Sequence, residues 1–242
     1  MKHITVIVFI LLMLISHQAM SKHKSHALQV RTIAVSPYGI TSKGQLSGIY
    51  YDLANSLLAK AGIESEHHIF PYGRIMHELK IGKTDLTIMF KYKELAEHVD
   101  YIYPLPTLKN VVIGRKGTDY HSVKQLEELS IAYLRGAKFS DDIDNNPKII
   151  KQTVSDFHQG LLMLKKGRVD AIIGPMAPIL SSAKNFGLSK EFFGKPLIVS
   201  ERTPWLQISK KSKNKVSTEK LKAIFSQMMA QGELKNIQQK YQ

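Results

Sequence analysis

The sequence predicts an α/β fold built as two similar lobes. Two observations carry that expectation. The chain says nearly the same thing twice, as LKIGKTDLTI at residues 79–88 and LKKGRVDAII at 164–173. Around each copy, strand-like and helix-like patterns alternate, which implies parallel sheets with helices on their faces. Two copies are too few for a solenoid, so they mark two halves. Each copy reads as the end of a helix, a glycine that permits a left-handed turn, and the strand that follows. The repeated aspartates, Asp85 and Asp170, are placed to bond backbone amides at the strand entrance, a structural role rather than a catalytic one.

The elements follow in order. VRTIAVS (30–36) alternates and ends in PYG, a strand and a turn. Residues 48–61 carry Leu53, Leu57 and Leu58 at helical spacing, and Gly62 closes that helix. IESEHHIF is a second strand, 74–81 a helix ended by Gly82, and TDLTIMF a third strand. In the second half NVVIGRKG is extended, SVKQLEEL a short helix and SIAYLRG a strand. Residues 155–166 form a helix with Ser155 or Asp156 as cap and Gln159 placed for a capping box. VDAIIG and PLIVSE are strands. The tail, 218–241, is one or two amphipathic helices with Leu221, Ile224, Phe225, Met228 and Met229 on one side.

The N-terminus reads as a signal peptide over residues 1–21. Lys2 precedes an apolar run at 4–15, too short to span a bilayer, and Ala19-Met20-Ser21 supplies small residues for cleavage. Residues 22–29 form a tail, in which HKSH is an incidental metal binder at most. The chain has no cysteine. That excludes a disulfide framework, a thiolate metal site, a cysteine nucleophile and a lipid-acceptor cysteine. The expectation is a soluble periplasmic protein, not a lipoprotein, of about 220 residues, enough for two lobes of roughly 100 each. Lys+Arg 34 against Asp+Glu 20 gives +14, and loss of Lys2 with the signal leaves 33 − 20 = +13. In the cytoplasm such a balance suggests nucleic acid, and export argues against it. A solvated basic face, or attraction to anionic solutes or membrane surfaces, accounts for the charge, including the cluster Lys210, Lys211, Lys213 and Lys215. His67 and His68 point to opposite faces of a strand and make a poor metal pair.

GIYYDLANSLLAKAGI (48–63), LKIGKTDLTI, ELAEHVDYIYP (94–104), VKQLEELSIAYLRGA (123–137), LKKGRVDAIIG and AQGELKNIQQKY (230–241) together resemble the periplasmic solute-binding proteins of family 3, the amino-acid-binding type. The resemblance spans about 30–241. It implies a two-lobe periplasmic-binding-protein-like (type II) fold, two α/β sheets joined by two crossover strands, here NVVIG and PWLQIS. Lobe 1 would hold 30–112 and 206–242, and lobe 2 would hold 113–205. It further implies hinge closure on a small solute and no cofactor. The partners it implies are an inner-membrane ABC permease or a sensor, with the protein a monomer.

The sequence departs from the family at two positions. Members that hold an α-amino acid use an arginine for the carboxylate where this chain has Leu95, and an aspartate for the ammonium where it has Pro175. A carboxylate wants a bidentate guanidinium and an ammonium a buried anion. The remaining mouth residues are Tyr38, Tyr72, Arg74, Phe90, Lys91, Arg135, Ala137 and Lys138. Their aromatics can stack on a flat solute, and their charge favours an anionic or carboxylated one. Two alternatives stand beside a solute receptor. One is a degenerate member acting through contacts with a membrane sensor. The other is a dehydratase-like enzyme on the same fold, for which Asp52, Glu78 and Asp156 are the available acids, each with a helix-surface or capping role as its plainer explanation.

Overall fold

The computed structural model describes residues 27–214 and 216–241. The expected signal peptide, HKSH and Lys215 lie outside the described residues. The first sheet has the order β4 (Ser65–Phe70), β1 (Leu28–Ile33), β5 (Leu86–Phe90), β12 (Pro204–Ser209), β6 (Val99–Pro104). The second has the order β9 (Ile150–Val154), β8 (Ser130–Leu134), β10 (Ala171–Pro175), β7 (Leu108–Gly114), β11 (Leu197–Arg202). The two orders correspond strand for strand. In each sheet the fourth strand is antiparallel to both neighbours and has just arrived from the other half of the chain. A small hairpin, β2 (Ile40–Ser42) and β3 (Gln45–Ser47), leads into the first helix.

The chain leaves the first sheet after Pro104, enters the second at Leu108, and returns between Arg202 and Pro204. NVVIG therefore lies within β7 and PWLQIS is the whole of β12, and the passages lie at 105–107 and 203, earlier than the expected divides at 112 and 205. The passages are tied together. The Leu105 amide donates to the Pro204 carbonyl at 2.8 Å, and the Thr107 and Thr203 hydroxyls bond at 2.7 Å.

The repeated phrase makes the same clasp in both lobes. The Asp85 amide donates to the Gln29 carbonyl at 2.7 Å, and the Asp85 carboxylate accepts from the Gln29 amide at 2.8 Å. Likewise the Asp170 amide donates to the Ser130 carbonyl at 2.8 Å, and its carboxylate accepts from the Ser130 amide at 2.8 Å. Each reciprocal pair sets the parallel register of the third strand against the first. The glycines Gly82 and Gly167 sit at φ 75° and 67°, as the left-handed turn before each clasp requires. Asp85 also accepts from Asn214 at 3.0 Å and is buried, whereas Asp170 is exposed. Asp85→Ala is expected to lower stability by about 1–3 kcal/mol, with a smaller loss for Asp170→Ala; urea denaturation of both variants checks the order.

Helices α1 (Ile49–Ala61), α2 (Tyr72–Ile81), α6 (Thr218–Ala230) and α7 (Glu233–Gln239) cover the first sheet. Leu53, Leu57, Leu221 and Phe225 are fully buried there, each worth about 1.5–3 kcal/mol of apolar burial. The second sheet carries α3 (Asp141–Asp144), α4 (Phe157–Lys165) and α5 (Met176–Asn185). At α4 the Asp156 carboxylate accepts from the Gln159 amide at 2.7 Å, and the Gln159 side-chain oxygen accepts from the Ser155 amide at 2.8 Å. SVKQLEEL forms only a 3₁₀ turn at Val123–Leu126. No helix among the described residues is long and apolar enough to cross a membrane.

The outer side of the first sheet holds a charged cluster. Arg31 and Glu78 are both buried and lie 3.4 Å apart. Glu78 also accepts from Arg74 at 2.8 Å and from Thr84 at 2.9 Å. Burial pushes the Glu78 carboxyl up, but the Arg74 and Thr84 hydrogen bonds and the two guanidinium charges outweigh it and hold the group below its ordinary value. Beside this cluster His67 stacks on Tyr51 and bonds Thr32 and Asn55, each at 2.8 Å. Burial, then the charge of Arg31, pulls its pKa down to about 3. His68 instead meets Glu66 at 2.7 Å. The two histidines face opposite ways and hold no ligand set between them.

Candidate functional site

The lobes touch along one seam. The Tyr72 hydroxyl donates to that of Tyr92 at 2.5 Å, and Tyr92 donates to the Lys138 carbonyl across the gap at 3.4 Å. Lys138 also meets Glu94 of the first lobe at 3.6 Å. Ser36 and Ser181 bond at 3.0 Å. Gly136, at φ 77°, lies so close to Gly73 that a Cβ there would stand 3.0 Å from the Gly73 Cα, so this contact requires glycine.

The seam holds a partly open cavity of ≈ 30 Å³, room for about two water molecules. Fourteen residues line it, and none is charged. Tyr38, Tyr50, Tyr72, Phe90, Phe139 and Phe157 supply its rings, and Pro175, Pro178 and Pro204 much of the rest. Tyr38 and Tyr50 are stacked, with centroids 4.2 Å apart. Burial raises the phenols of Tyr38, Tyr50 and Tyr72, and that of Tyr92 to about 12. They remain protonated hydrogen-bonding groups at any ordinary pH. Phe139 is fixed in the wall by its carbonyl, which accepts from Asn110, Ser200 and Arg202.

Of the residues expected at the mouth, Tyr38, Tyr72 and Phe90 line this cavity. Tyr38 and Tyr72 follow β1 and β4, and Phe90 is the last residue of β5, all at the carboxyl ends of strands. Ala137 is buried in the turn after β8, outside the lining. The basic residues stand elsewhere. Arg74 lies over the Phe70 ring at 3.5 Å and pairs with Glu78. Lys91 lies over Tyr101 and Trp205, at 4.5 and 5.2 Å. Lys138 meets Glu94, and Arg135 is exposed. Leu95 is fully buried, and Pro175 is in the cavity wall. Tyr50, Phe139, Phe157 and Pro178 were not anticipated from the sequence. Tyr50 is the one with a signal, being in the first turn of a helix that starts where the first turn of chain returns.

The acids considered for catalysis are engaged structurally. Asp52 accepts from the Tyr241 hydroxyl at 2.9 Å, Glu78 is in the buried cluster, and Asp156 caps α4. No group of three or more His, Asp or Glu side chains suited to a metal occurs among the described residues.

The model of the bacterial extracellular solute-binding proteins, family 3, matches residues 29–145 and 145–242. No curated protein matches the chain. Among solved structures, an ancestral arginine-binding protein bound to arginine superposes with a TM-score of 0.74 at 23% identity, over 90% of this chain and 99% of that one. The arginine-, lysine-, histidine-binding protein ArtJ of Geobacillus stearothermophilus gives 0.73 at 17%, over 89% and 95%. The GluR0 ligand-binding core from Nostoc punctiforme, in complex with L-glutamate, gives 0.72 at 19%, over 88% and 98%. These likenesses carry the two-lobe fold, and the family match carries the class: a solute-binding protein, not an enzyme. The chain belongs to the bacterial extracellular solute-binding proteins of family 3.

Proposed function

We propose that this protein captures a small, uncharged, largely apolar solute between its lobes and delivers it to an importer or presents it to a sensor in the inner membrane. The observation that carries this reading is the cavity wall, fourteen residues without a charge. An α-amino acid brings two charges, and each would need a partner once water is excluded. Leu95 and Pro175 supply none. Stacked rings and proline faces suit an aromatic or cyclic aliphatic body, and the tyrosine hydroxyls suit one neutral polar group.

The geometry favours this solute over the anionic one expected from the sequence, because Arg74, Lys91 and Lys138 are engaged outside the cavity. The lobes must part to admit any solute larger than about two waters. A binding screen by thermal unfolding tests the reading. Neutral aromatics and cyclic ketones or alcohols are expected to stabilise the protein, by about 2.7 kcal/mol at 100 times Kd, and Phe90→Ala to abolish the effect. Stabilisation by arginine, glutamate or dicarboxylates instead would sink it. No stabilisation across the whole library would favour a member acting through protein contacts.

A further inference from the structure

The first lobe ends in a lysine-rich pole on the side away from the cavity. Helix α2 spans the distance. Tyr72, its first residue, lines the cavity, and Ile81, its last, stands about 15 Å away at the other end. Ile81 is a large apolar side chain left 44% exposed, with Lys80 before it and Lys83 two residues after it. The segment after β12 is fastened to the same place. The Ser209 hydroxyl donates to the Leu79 carbonyl at 2.9 Å, and the Asn214 side chain donates to Asp85 at 3.0 Å. A Cβ at Gly82 would stand 2.8 Å from the Cβ of Lys211. Lys210, Lys211 and Lys213 thus share the pole with Ile81, and all three are exposed. Their charge is only partly offset. Lys80 lies 4.0 Å from Glu94, which Lys138 also contacts, and Lys210 lies 3.9 Å from Asp100. Lys93 and Glu97, on the neighbouring turn, cancel. Lys83, Lys211 and Lys213 have no acid within 4.0 Å among the described residues. Five lysines against two acids leave a charge of 5 − 2 = +3. Glu64 and Glu66 lie by β4, two strands from β5 at the far edge of the sheet.

We propose that this pole docks on an anionic phospholipid surface, with Ile81 entering the headgroup layer and the surrounding lysines meeting lipid phosphates. A lipid surface is the occupant that this chemistry fits. The patch holds lysines and no arginine. A lysine is a point charge on a flexible stem and suits a fluid array of headgroups, whereas the fork of arginine suits a carboxylate or phosphate fixed in one place. The exposed apolar tip among the lysines adds burial at the edge of the acyl layer, which a soluble polyanion does not offer. Each lysine brought near an anionic leaflet strengthens binding by about fivefold, so the three without counter-ions are enough for a reversible tether. Because the cavity is at the opposite end of α2, a protein docked by this pole keeps its cleft away from the lipid and free to open. The inference goes beyond the reading of the cavity and does not depend on which solute the cavity takes.

The test is co-sedimentation with vesicles, using the protein from residue 22 on, which holds every described element. Vesicles of phosphatidylcholine alone are compared with vesicles containing about one-third phosphatidylglycerol. Binding is expected to the anionic vesicles, to weaken steeply as salt is raised, and to be slight on phosphatidylcholine. Hydrogen exchange on the anionic vesicles should slow at residues 80–84 and 210–214. The triple variant Lys83→Gln, Lys211→Gln, Lys213→Gln should weaken binding at least about tenfold. The control triple Lys109→Gln, Lys148→Gln, Lys195→Gln removes equal charge from exposed sites on the second lobe and should leave it within about threefold. Ile81→Ser, which removes no charge, should weaken it about threefold. All these side chains are exposed or partly so, and an unchanged thermal midpoint confirms that each variant is folded. Equal weakening in both triples would mean attraction to the whole basic molecule and would overturn the site. So would equal binding to the two kinds of vesicle, slowed exchange confined to other surfaces, or no binding at all. Full retention of binding in Ile81→Ser would assign the lysines to an acidic protein or a soluble polyanion and overturn the membrane reading. Phe90→Ala should leave vesicle binding unchanged, so failure of the cavity reading and failure of this one are told apart.

Discussion

Glu78→Ala is expected to lower the unfolding free energy by about 3–5 kcal/mol, the cost of leaving a buried charge without its counter-ion. Arg31 is buried on β1, beside β4, and depends on Glu78 for its only ion pair among the described residues. Its other contacts are carbonyls of Val30 and Glu66 and the side-chain oxygen of Gln29, at 2.8–3.2 Å. These engage the two Nη groups but leave Nε without a hydrogen bond and carry no full negative charge. Thr84 would lose its acceptor as well. Urea denaturation measures the loss. Adding Arg31→Met should recover much of it, since a buried pair replaced on both sides by apolar atoms is close to neutral. A loss below about 1 kcal/mol for Glu78→Ala, the range of exposed pairs, would show that water reaches the pair and that the cluster is a surface feature.

The second large effect is a fall in stability with acid, set by His67. Its folded pKa lies near 3 because burial and then Arg31 oppose a second positive charge, while the unfolded chain has the ordinary value of about 6.5. The unfolded state therefore binds the extra proton first. The stability this histidine supports is complete above about pH 6.5, and is lost by roughly 1.4 kcal/mol per pH unit as the pH falls from there towards 3. His67→Gln, which can still bond Thr32 and Asn55, should flatten the slope between pH 6 and 4. Glu78 acts in the same direction at lower pH. Its carboxyl is held below the ordinary value, so its contribution is present above that value and goes as the pH falls through the lowered one. An unchanged slope in His67→Gln would place the acid sensitivity in carboxylates alone.

Much of this fold is legible in the sequence because its punctuation is local. A glycine in the left-handed region ends α2 before one clasp and precedes the strand at the other, and an aspartate three residues on locks each strand to its neighbour. Backbone chemistry of that kind acts over a few residues and leaves a mark in the text. The strands β6 and β9 and the helix α5 leave weaker marks. β9 lies at a sheet edge with Ile150 exposed, so it has no alternation of buried and open faces. α5 begins directly after Pro175 and carries Pro178 in its first turn, which reads as a loop until the packing is known.

The site divides in the same way. Tyr38 and Tyr72 follow strands, Phe90 ends one, and all three were legible as mouth residues. The basic side chains near them were legible as positions but not as directions. Where Arg74 points is decided by Phe70 and Glu78, and where Lys91 points is decided by Tyr101 and Trp205. Trp205 arrives on a strand from the far side of the chain, and no spacing rule links it to Lys91. The absence of charge in the cavity is likewise a sum over segments from Ile33 to Pro204.

The two passages between the sheets, tied by Thr107 and Thr203 and by Leu105 and Pro204, give the molecule a built-in optical gauge. The chain contains one tryptophan, and it stands two residues beyond the second passage, edge-on to Tyr101 and beneath the Lys91 ammonium. A swing of one lobe against the other bends the chain at the passage two residues before this indole. Emission excited at the red edge, where tyrosine is silent, should therefore change colour or brightness when the lobes part. Opening and closing can be followed in real time on the unlabelled protein, before any ligand has been named.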